Sequence, residues 1–235
     1  MPNERRLSRF DLHAHTRASP DSWIEPRELA RIAKGKGLAG VAVTDHSSVS
    51  GWEEAVAGAE GLGVLVIRGE EVGVKPAGRT VGEILGLFMN ERVDGNGKSA
   101  SEIIDDLKRQ DAVVVLPHPF DPWRKVLPEG ELREIAVKAD AVEVFNARAL
   151  MPSYNEKAKE FARELGLSET GGSDAHAARE VGAAYTSADA CDEEGLRKAL
   201  KSGETRAGGR LHNFLFARGA AMLAKARSRV FGKRK

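Results

Sequence analysis

Short apolar runs alternate with amphipathic stretches over most of the chain. Several runs, such as GVAVT and AVVVL, are continuously apolar, which is typical of strands that are buried on both faces. Such runs indicate parallel strands covered by helices. The predicted strands are residues 9–13, 40–44, 64–68, 84–89, 112–116 and 141–145, with weaker patterns at 167–170 and 183–185.

Helical spacing fills the segments between these runs. Residues 26–36 begin with a proline at a first-turn position and end in glycines, and residues 99–110 begin with SASE, a capping-box pattern. Residues 154–165 and 192–201 also have helical periodicity. Strand followed by helix, repeated six or seven times, predicts an α/β fold, either an open doubly wound sheet or a closed barrel.

Composition and motifs exclude several classes of protein. The chain has 235 residues, of which 41% are hydrophobic and 30% charged, so we expect a soluble protein with one large domain. A single cysteine, Cys191, excludes a disulfide scaffold and a cysteine-ligated zinc finger. No apolar run is long enough for a signal peptide or a membrane span, so the expected location is the cytoplasm. No glycine-rich nucleotide-binding motif is present, which leaves a nucleotide cofactor without support.

The near-neutral net charge of +1 hides an uneven distribution. Nine of the 36 Lys and Arg residues, and none of the 35 Asp and Glu residues, lie in residues 205–235. We therefore expect a domain of residues 1–204 followed by a basic tail, with an amphipathic helix within residues 211–231. The tail could pack on the domain, attract nucleic acid or touch an anionic membrane surface, and the sequence leaves all three open.

Histidines mark the ends of the apolar runs. Five of the six lie at strand ends, and the sixth lies in the basic tail. Residues i and i+2 of a strand point to the same face, so the two histidines of the first motif can hold one ion together. A single strand-end histidine is usually structural, but five of them, three close to an acidic residue, predict a metal centre for zinc, manganese or iron. These histidines are His13, His15, His46, His118 and His176, with His212 in the tail.

An ordered set of short motifs then becomes informative. DLHAHT, SPDS, TDH, GEE, PHP and GSDAH, in this order between residues 10 and 182, resemble the PHP (polymerase and histidinol phosphatase) superfamily. This resemblance implies a distorted seven-stranded, TIM-like (β/α) barrel that binds two to three divalent metal ions at the strand C-termini. Members of the superfamily hydrolyse phosphate esters, including histidinol phosphate, bisphosphorylated nucleotides and nucleic-acid ends.

The resemblance also assigns candidate metal ligands. A first ion would bind His13, His15 and Asp174, and a second His118. A third would bind Asp21, His46 and His176. The carboxylate that bridges the first two ions is either Glu70 or Glu71, and the pattern Gly-x-Glu favours Glu71. Asp45 precedes a ligand and would orient one.

Glu83 marks a departure from the family pattern. Many members carry a histidine at the position that Glu83 occupies in VGEILGLFM. A carboxylate there could serve as a ligand of the second ion and favour a harder metal such as manganese or magnesium. The alternative is a surface glutamate.

The implied reaction is hydrolysis of a phosphate ester by a hydroxide that bridges two metal ions. Arg124 and Arg148 are candidates for gripping phosphate, with surface ion pairs as the alternative, and Glu143 and Asn146 are weaker candidates. The expected substrate is a small phosphomonoester or a nucleotide. A nuclease acting on short RNA or DNA is the second hypothesis, and a non-enzymatic metal-binding or regulatory module is the third. The sequence does not indicate the oligomeric state.

Overall fold

Nine strands form one sheet in the computed structural model, which describes residues 7–212. Most of the strands are short, and two of them, at residues 40–43 and 113–116, contain only buried residues, as the apolar runs predict. The strands are β1 (Ser8–Asp11), β2 (Gly40–Val43), β3 (Leu65–Val74), β4 (Gly82–Leu87), β5 (Val113–Leu116), β6 (Ala141–Asn146), β7 (Ser168–Gly172), β8 (Ala184–Ala188) and β9 (Arg206–Gly209).

Six helices lie between the strands in the described part of the chain. The capping box at Ser99 and Glu102 is formed as predicted, and Asp192 caps another helix by accepting from the backbone N of Gly195. Gly166 ends a third helix in the left-handed conformation, with φ of +66°. The helices are α1 (Pro26–Gly35), α2 (Trp52–Gly58), α3 (Ala100–Arg109), α4 (Glu129–Ala136), α5 (Pro152–Leu165) and α6 (Glu193–Ser202).

The strand order is β7-β6-β5-β4-β3-β2-β1-β8-β9. Pairing is parallel from β1 through β2 to β3 and again from β5 through β6 to β7. Strand β4 is antiparallel to both of its neighbours, and β8 is antiparallel to β1 and β9. Crossover helices therefore connect the parallel pairs, whereas a seven-residue turn connects β3 to β4.

A side chain links the two ends of the sheet. Thr186 of β8 accepts a hydrogen bond from the backbone N of Gly171 in β7 at 2.9 Å and donates to its carbonyl oxygen at 3.1 Å. A Cβ at position 171 would lie 2.6 Å from the carbonyl oxygen of Tyr185, so only glycine permits this approach. The sheet thereby becomes a nearly closed barrel.

Apolar side chains fill both sides of the barrel wall. Ile67 and Leu85 belong to an inner cluster that Leu196 and Leu200 of α6 complete. Residues of opposite strand parity, such as Val72, pack outward against the helices. Because residues alternate between these two sides, the parity of a polar residue determines whether it faces the barrel interior.

The α/β class is confirmed, and the structure corrects the details. All eight predicted strands and all four predicted helices are present, but the expected count of seven strands is wrong, because the described residues contain nine. The expected parallel pairing is present from β1 to β3 and from β5 to β7, whereas β4, β8 and β9 run antiparallel to their neighbours. Helices α2 and α4 and strand β9 were not predicted.

The C-terminal part of the described chain lies against the barrel. Residues 206–209 form β9, and the backbone N of His212 donates to the carbonyl oxygen of Ala147 at 2.7 Å. The amphipathic helix expected within residues 211–231 lies almost wholly outside the described residues. No helix between residues 7 and 212 combines the length and the apolarity that a membrane crossing requires.

Candidate metal centre

Histidine and carboxylate side chains converge at one end of the barrel. They come from the loops that follow β1, β2, β5 and β7, from within β3 and from the start of β4. Most of them are buried, although their side chains are ionisable. The predicted residues that meet here are His13, His15, Asp21, His46, Glu71, Glu83, His118, Asp174 and His176.

His13 and His15 form the centre of the cluster. Their Nε2 atoms face each other at 3.2 Å, and both rings are fully buried. His15 Nε2 also lies 3.3 Å from Asp174 Oδ1. Ligand atoms of these three residues lie within 4.8 Å of one another, so they can bind one ion. Two imidazole nitrogens aimed at one point fit a cation placed between them.

Glu71 joins the histidines of three different loops. One carboxylate oxygen lies 3.4 Å from His13 Nε2 and 3.1 Å from His118 Nε2. The other lies 3.6 Å from His15 Nε2 and 2.7 Å from His46 Nδ1. Each oxygen therefore faces a different pair of imidazoles, which is the geometry that a bridging carboxylate needs.

Glu70 lies outside this cluster. Glu71 has the same strand parity as Ile67 and faces the barrel interior, whereas Glu70 has the parity of the outward-packed Val72. Glu70 accepts a hydrogen bond from the backbone N of Val93 at 2.9 Å, and Arg92 Nε lies 3.7 Å from its carboxylate. The structure thus brings Glu71 to the histidines and places Glu70 under the loop that follows β4.

His15, His46 and His176 form a second group of possible ligands. Asp21 lies at its edge, with Oδ1 3.5 Å from His176 Nε2 and Oδ2 3.7 Å from His46 Nε2. Glu83 belongs to a further group with His46 and Glu71, and its carboxylate lies 3.9 Å from His118 Nε2. Glu83 is thus part of the cluster and is not a surface residue.

Unsatisfied polar atoms and backbone strain coincide in this cluster. Buried atoms without a hydrogen-bond partner include Asp21 Oδ1, Glu71 Oε2, His118 Nδ1 and Asp174 Oδ1. His118 and Asp174 also have positive φ angles of 29° and 51°, which side-chain-bearing residues rarely adopt. Buried polar atoms are normally paired, and local strain is typical of functional sites. The donor set therefore fits divalent metal ions.

The charges in the cluster shift its pKa values strongly. Burial would lower the pKa of His13, but the carboxylates of Glu143, Asp174 and Glu71 outweigh it and hold that pKa well above its usual value. Burial together with the nearby histidines lowers the pKa of His15 well below its usual value. Burial, reinforced by the Glu71 carboxylate, raises the pKa of Glu83 to about 7. Such opposed shifts among neighbours are typical of functional sites.

A layer of hydrogen bonds orients the cluster. Glu143 Oε1 lies 3.0 Å from His13 Nδ1, and its other oxygen accepts from the backbone N of His118 at 2.9 Å and from Asn146 Nδ2 at 2.9 Å. Glu180 accepts from the backbone N of His176 at 2.8 Å. Glu143 was only a weak candidate from sequence and Glu180 was missed, although an acid inside the apolar run AVEVF was a usable signal for Glu143.

Asp45 acts on the cluster through other residues. It is buried, and its carboxylate accepts from the backbone N of Thr16 at 2.7 Å and from Ser19 Oγ at 2.6 Å. Ser19 Oγ in turn lies 3.2 Å from His15 Nδ1. Asp45 thus shapes the loop after β1 and reaches His15 through Ser19.

Two arginines contact the cluster at Asp174 and His176. Arg124 forms an ion pair with Asp174 Oδ2, and Arg148 contacts His176 Nδ1 and lies 4.0 Å from Asp174 Oδ1. Neither arginine is a surface ion pair, because their side chains are only 21% and 7% exposed. Both guanidinium groups therefore border the ligand atoms of the cluster.

Gly172 permits the close packing under His13. A Cβ at this position would overlap His13 Cβ and lie 2.6 Å from Glu143 Oε1. We expect Gly172→Ala to lower the free energy of unfolding by about 1–3 kcal/mol, because such overpacking forces the backbone apart. Chemical denaturation of the metal-free protein measures this change.

Gly35→Ala is the matched control, because its added Cβ meets nothing within 4 Å. It should leave stability unchanged or raise it by up to ~1 kcal/mol, since alanine favours a helix. Equal stability of Gly172→Ala and the wild type would contradict the proposed constraint.

Comparison with known proteins identifies the family. A family model described as the PHP domain matches residues 11–121, and one described as PHP-associated matches residues 152–205. An uncharacterised protein of Methanocaldococcus jannaschii is 39% identical over 147 residues, which are 58% of this chain and 81% of that protein. The chain belongs to the PHP family. The expected resemblance and, with it, the expected class of metal-dependent hydrolase are confirmed.

Other PHP relatives cover less of the chain. A 5'-3' exoribonuclease of Haemophilus influenzae is 30% identical over 53% of this chain and 47% of its own length. A 3',5'-nucleoside bisphosphate phosphatase of Chromobacterium violaceum is 37% identical over 34% of this chain and 28% of its own length. The chain thus spans less than half of each of these two enzymes.

A solved structure supports the same fold. A two-domain protein of Bacteroides vulgatus, described as containing a predicted PHP-like metal-dependent phosphoesterase, superimposes with a TM-score of 0.68. The match has 21% sequence identity and covers 87% of this chain and 65% of that chain. At this identity the likeness concerns the fold alone.

Proposed function

We propose that this PHP protein hydrolyses the phosphate ester of a small phosphomonoester or nucleotide with the help of two to three divalent metal ions. The observation that carries the proposal is the buried cluster around Glu71, whose two oxygens face four histidines from three loops. Several buried ligand atoms of this cluster have no hydrogen-bond partner. Burying such atoms costs free energy, which binding to a metal ion would offset.

The residues divide naturally between the ions. We assign His13, His15 and Asp174 to a first ion and His118 and Glu83 to a second, with Glu71 between them. Asp21, His46 and His176 would hold a third. Manganese, zinc and iron all suit this mixture of imidazole and carboxylate. Bound divalent ions supply acidified water and neutralise charge on the phosphoryl oxygens.

The arginines would orient the phosphate. Arg124 lies against Asp174, and Arg148 lies against Asp174 and His176, so both guanidinium groups border the ligand atoms. Guanidinium groups grip phosphate oxygens through two parallel hydrogen bonds. The ion pair between Arg124 and Asp174 shows that this guanidinium group already faces an anionic oxygen. The same pairing would weaken once Asp174 turned to a cation.

Arg124→Ala separates phosphate binding from metal binding. We expect kcat/KM to fall by about 10²-fold, as when one preorganised donor is removed. Metal affinity should stay the same or rise, because Asp174 loses a competing cation. Steady-state kinetics and metal titration by calorimetry measure the two quantities.

Arg133→Ala is the control for that variant, because Arg133 pairs with Glu129 and Glu164 on the outer helices. It should change neither quantity. A loss of metal affinity in Arg124→Ala equal to its loss of activity would contradict the assignment to phosphate.

Nucleic-acid ends are the second candidate substrate. The exoribonuclease that this chain resembles acts, by its name, on RNA, and the basic tail from residue 205 onward would attract a polyanion. Most of that tail lies outside the described residues. Small esters remain the first candidate substrate, because that proposal rests on the ligand cluster, which lies within the described residues, and not on the tail.

A substrate panel tests the proposal. Purified protein loaded with manganese, zinc or iron is assayed on p-nitrophenyl phosphate, its bis-ester, histidinol phosphate, mononucleotides, bisphosphorylated nucleotides, short RNA and short DNA. Activity that disappears in His13→Ala would support the proposal and select the substrate class. Bound metal without any hydrolysis on the panel would instead favour a metal-binding or regulatory module.

A further inference from the structure

A cleft of about 400 Å³ opens beside the ligand cluster. His46, Glu71 and Glu83 line its inner part, so whatever enters the cleft meets the proposed second and third ions. Its outer part is built from residues that the proposed reaction does not use. These are Ser47, Gly73, Lys75, Thr80, Trp123 and Lys125.

Gly73 keeps the floor of the outer cleft open. A Cβ at this position would lie 3.0 Å from Lys75 Cε, 3.4 Å from Thr80 Cγ2 and 3.5 Å from Ser47 Oγ. Any side chain would therefore point into the space that these three residues enclose. The absence of one leaves room for part of a ligand.

Trp123 forms one wall of the cleft. Its side chain is 57% exposed, which is unusual for so large an aromatic residue. The backbone around it is held in place, because Asp121 Oδ1 accepts from the backbone N of Trp123 at 3.0 Å and the Asp121 carbonyl oxygen accepts from that of Arg124 at 2.9 Å. The backbone that carries the indole is thus held in place next to the arginine that borders the ligand atoms. An exposed indole on an ordered backbone offers a flat surface for stacking.

Two lysines give the outer cleft a positive charge. Lys75 is half-buried, with Nζ 3.4 Å from Ser47 Oγ, and Lys125 is exposed at the rim. Within residues 7–212, neither ammonium group has a carboxylate within ion-pair distance, whereas other lysines, such as Lys98, Lys108 and Lys138, do. Unpaired cations beside an acidic cluster suit a second negative group on the ligand.

We infer that the outer cleft is a leaving-group subsite for an aromatic ring that carries, or is joined to, a second anionic group. In this subsite the ring stacks on Trp123 and the second anion lies near Lys75 and Lys125. The inference rests on the proposed function, since it places the scissile phosphate at the ligand cluster. It assigns substrate specificity to Trp123, Lys75 and Lys125, none of which is a proposed metal ligand.

The ring is tested with esters that share one sugar phosphate. Ribose 5-phosphate has no ring, adenosine 5′-monophosphate adds one, and adenosine 3′,5′-bisphosphate adds a second anion. We expect Trp123→Ala to lower kcat/KM for both adenosine esters by roughly fivefold or more, mainly through KM, since stacking is strong for every base. Hydrolysis of ribose 5-phosphate should be unchanged, and Trp123→Phe should retain most of the activity.

The second anion is tested with Lys75→Gln combined with Lys125→Gln. Activity on the bisphosphate should fall several-fold more than activity on the monophosphate, and its dependence on salt concentration should weaken. The controls are Val137→Ala and Lys36→Gln. These exposed residues follow α4 and α1 and precede β6 and β2, at the opposite end of the barrel. An equal loss on all three esters in either test would overturn the inference.

A binding measurement tests the subsite independently of whether the protein hydrolyses any ester. Tryptophan fluorescence of the metal-free protein, which has three tryptophans, is titrated with adenosine 3′,5′-bisphosphate. Quenching that disappears in Trp123→Ala but persists in Val137→Ala would support the subsite even if no ester were hydrolysed. Binding with the same affinity in Trp123→Ala would overturn it, whatever the activity.

Discussion

Glu71→Gln should abolish metal-dependent hydrolysis almost completely, whereas Glu70→Gln should leave it nearly unchanged. Glu71 lies within 4 Å of His13, His15, His46 and His118, and glutamine retains only one oxygen that can bind a cation. Loss of a bridging ligand removes several kcal/mol of transition-state stabilisation. This corresponds to a fall in kcat/KM of roughly a thousandfold or more. Elemental analysis should show fewer ions per chain.

The adjacent Glu70→Gln is a close control, because Glu70 and Glu71 are consecutive glutamates of β3 whose side chains lie on opposite sides of the strand. Burial raises the pKa of Glu70 to about 7, so a neutral side chain is already populated at that position near neutral pH. Glutamine can still accept the hydrogen bond from the backbone N of Val93. Greater damage from Glu70→Gln than from Glu71→Gln would refute the assignment of the bridging position.

The choice between these two glutamates shows what the sequence could and could not provide. The motif Gly69-Glu70-Glu71 allows either residue to face the metal ions, and the family pattern only favours Glu71. The decision needs the parity of β3 relative to the inner core, which includes Ile67 and Leu85. Parity is a property of the folded sheet, since shifting a strand by one residue exchanges its two faces.

Local signals predicted individual helices and strands better than the pairing of the strands. The capping box at Ser99 and the Asp192 cap act within one turn, so they can be read from neighbouring residues. Strand β9 (Arg206–Gly209) contains two glycines, and its backbone is held by pairing with β8. Its existence depends on pairing with residues 19 to 25 positions earlier in the chain, which no local pattern reveals.

The antiparallel direction of β4 was not predicted, although a signal was present. The segment between β3 and β4 contains Pro76 and Gly78, the latter with φ of +75°, and it is too short for a crossover helix. Two strands so connected must pair as a hairpin. The apolar run alone predicted a strand correctly, but the length of the connection determines its direction.

The candidate site could be predicted where its histidines directly follow a strand. His13, His15, His46, His118 and His176 all follow apolar runs, so the convergence of strand C-termini places them together. Glu180 could not be found in this way, because it belongs to no strand and acts through the backbone N of His176. Residues that orient ligands through the backbone carry no motif of their own.

Asp174→Asn should also lower hydrolysis on the order of a thousandfold, by removing a carboxylate from the first ion. Asp174 Oδ1 lies 3.3 Å from His15 Nε2 and has no hydrogen-bond partner, so it is the oxygen best placed for a cation. Asparagine tolerates the φ of 51° at this position, which separates the loss of charge from backbone strain. Kinetics at saturating manganese and elemental analysis measure the effect, and Asp105→Asn, which breaks the exposed pair with Lys138, is the control.

The same substitution should also destabilise the metal-free protein, for a different reason. Arg124 pairs with Asp174 and is largely buried, so Asp174→Asn leaves a buried cation without its partner. Adding Arg124→Gln should recover much of the lost stability, because the pair couples energetically, but it should recover none of the activity. Denaturation of the four proteins of this double-mutant cycle measures the coupling. Recovery of both stability and activity in the double variant would mean that Asp174 serves only to hold Arg124, and that the first ion does not need its carboxylate.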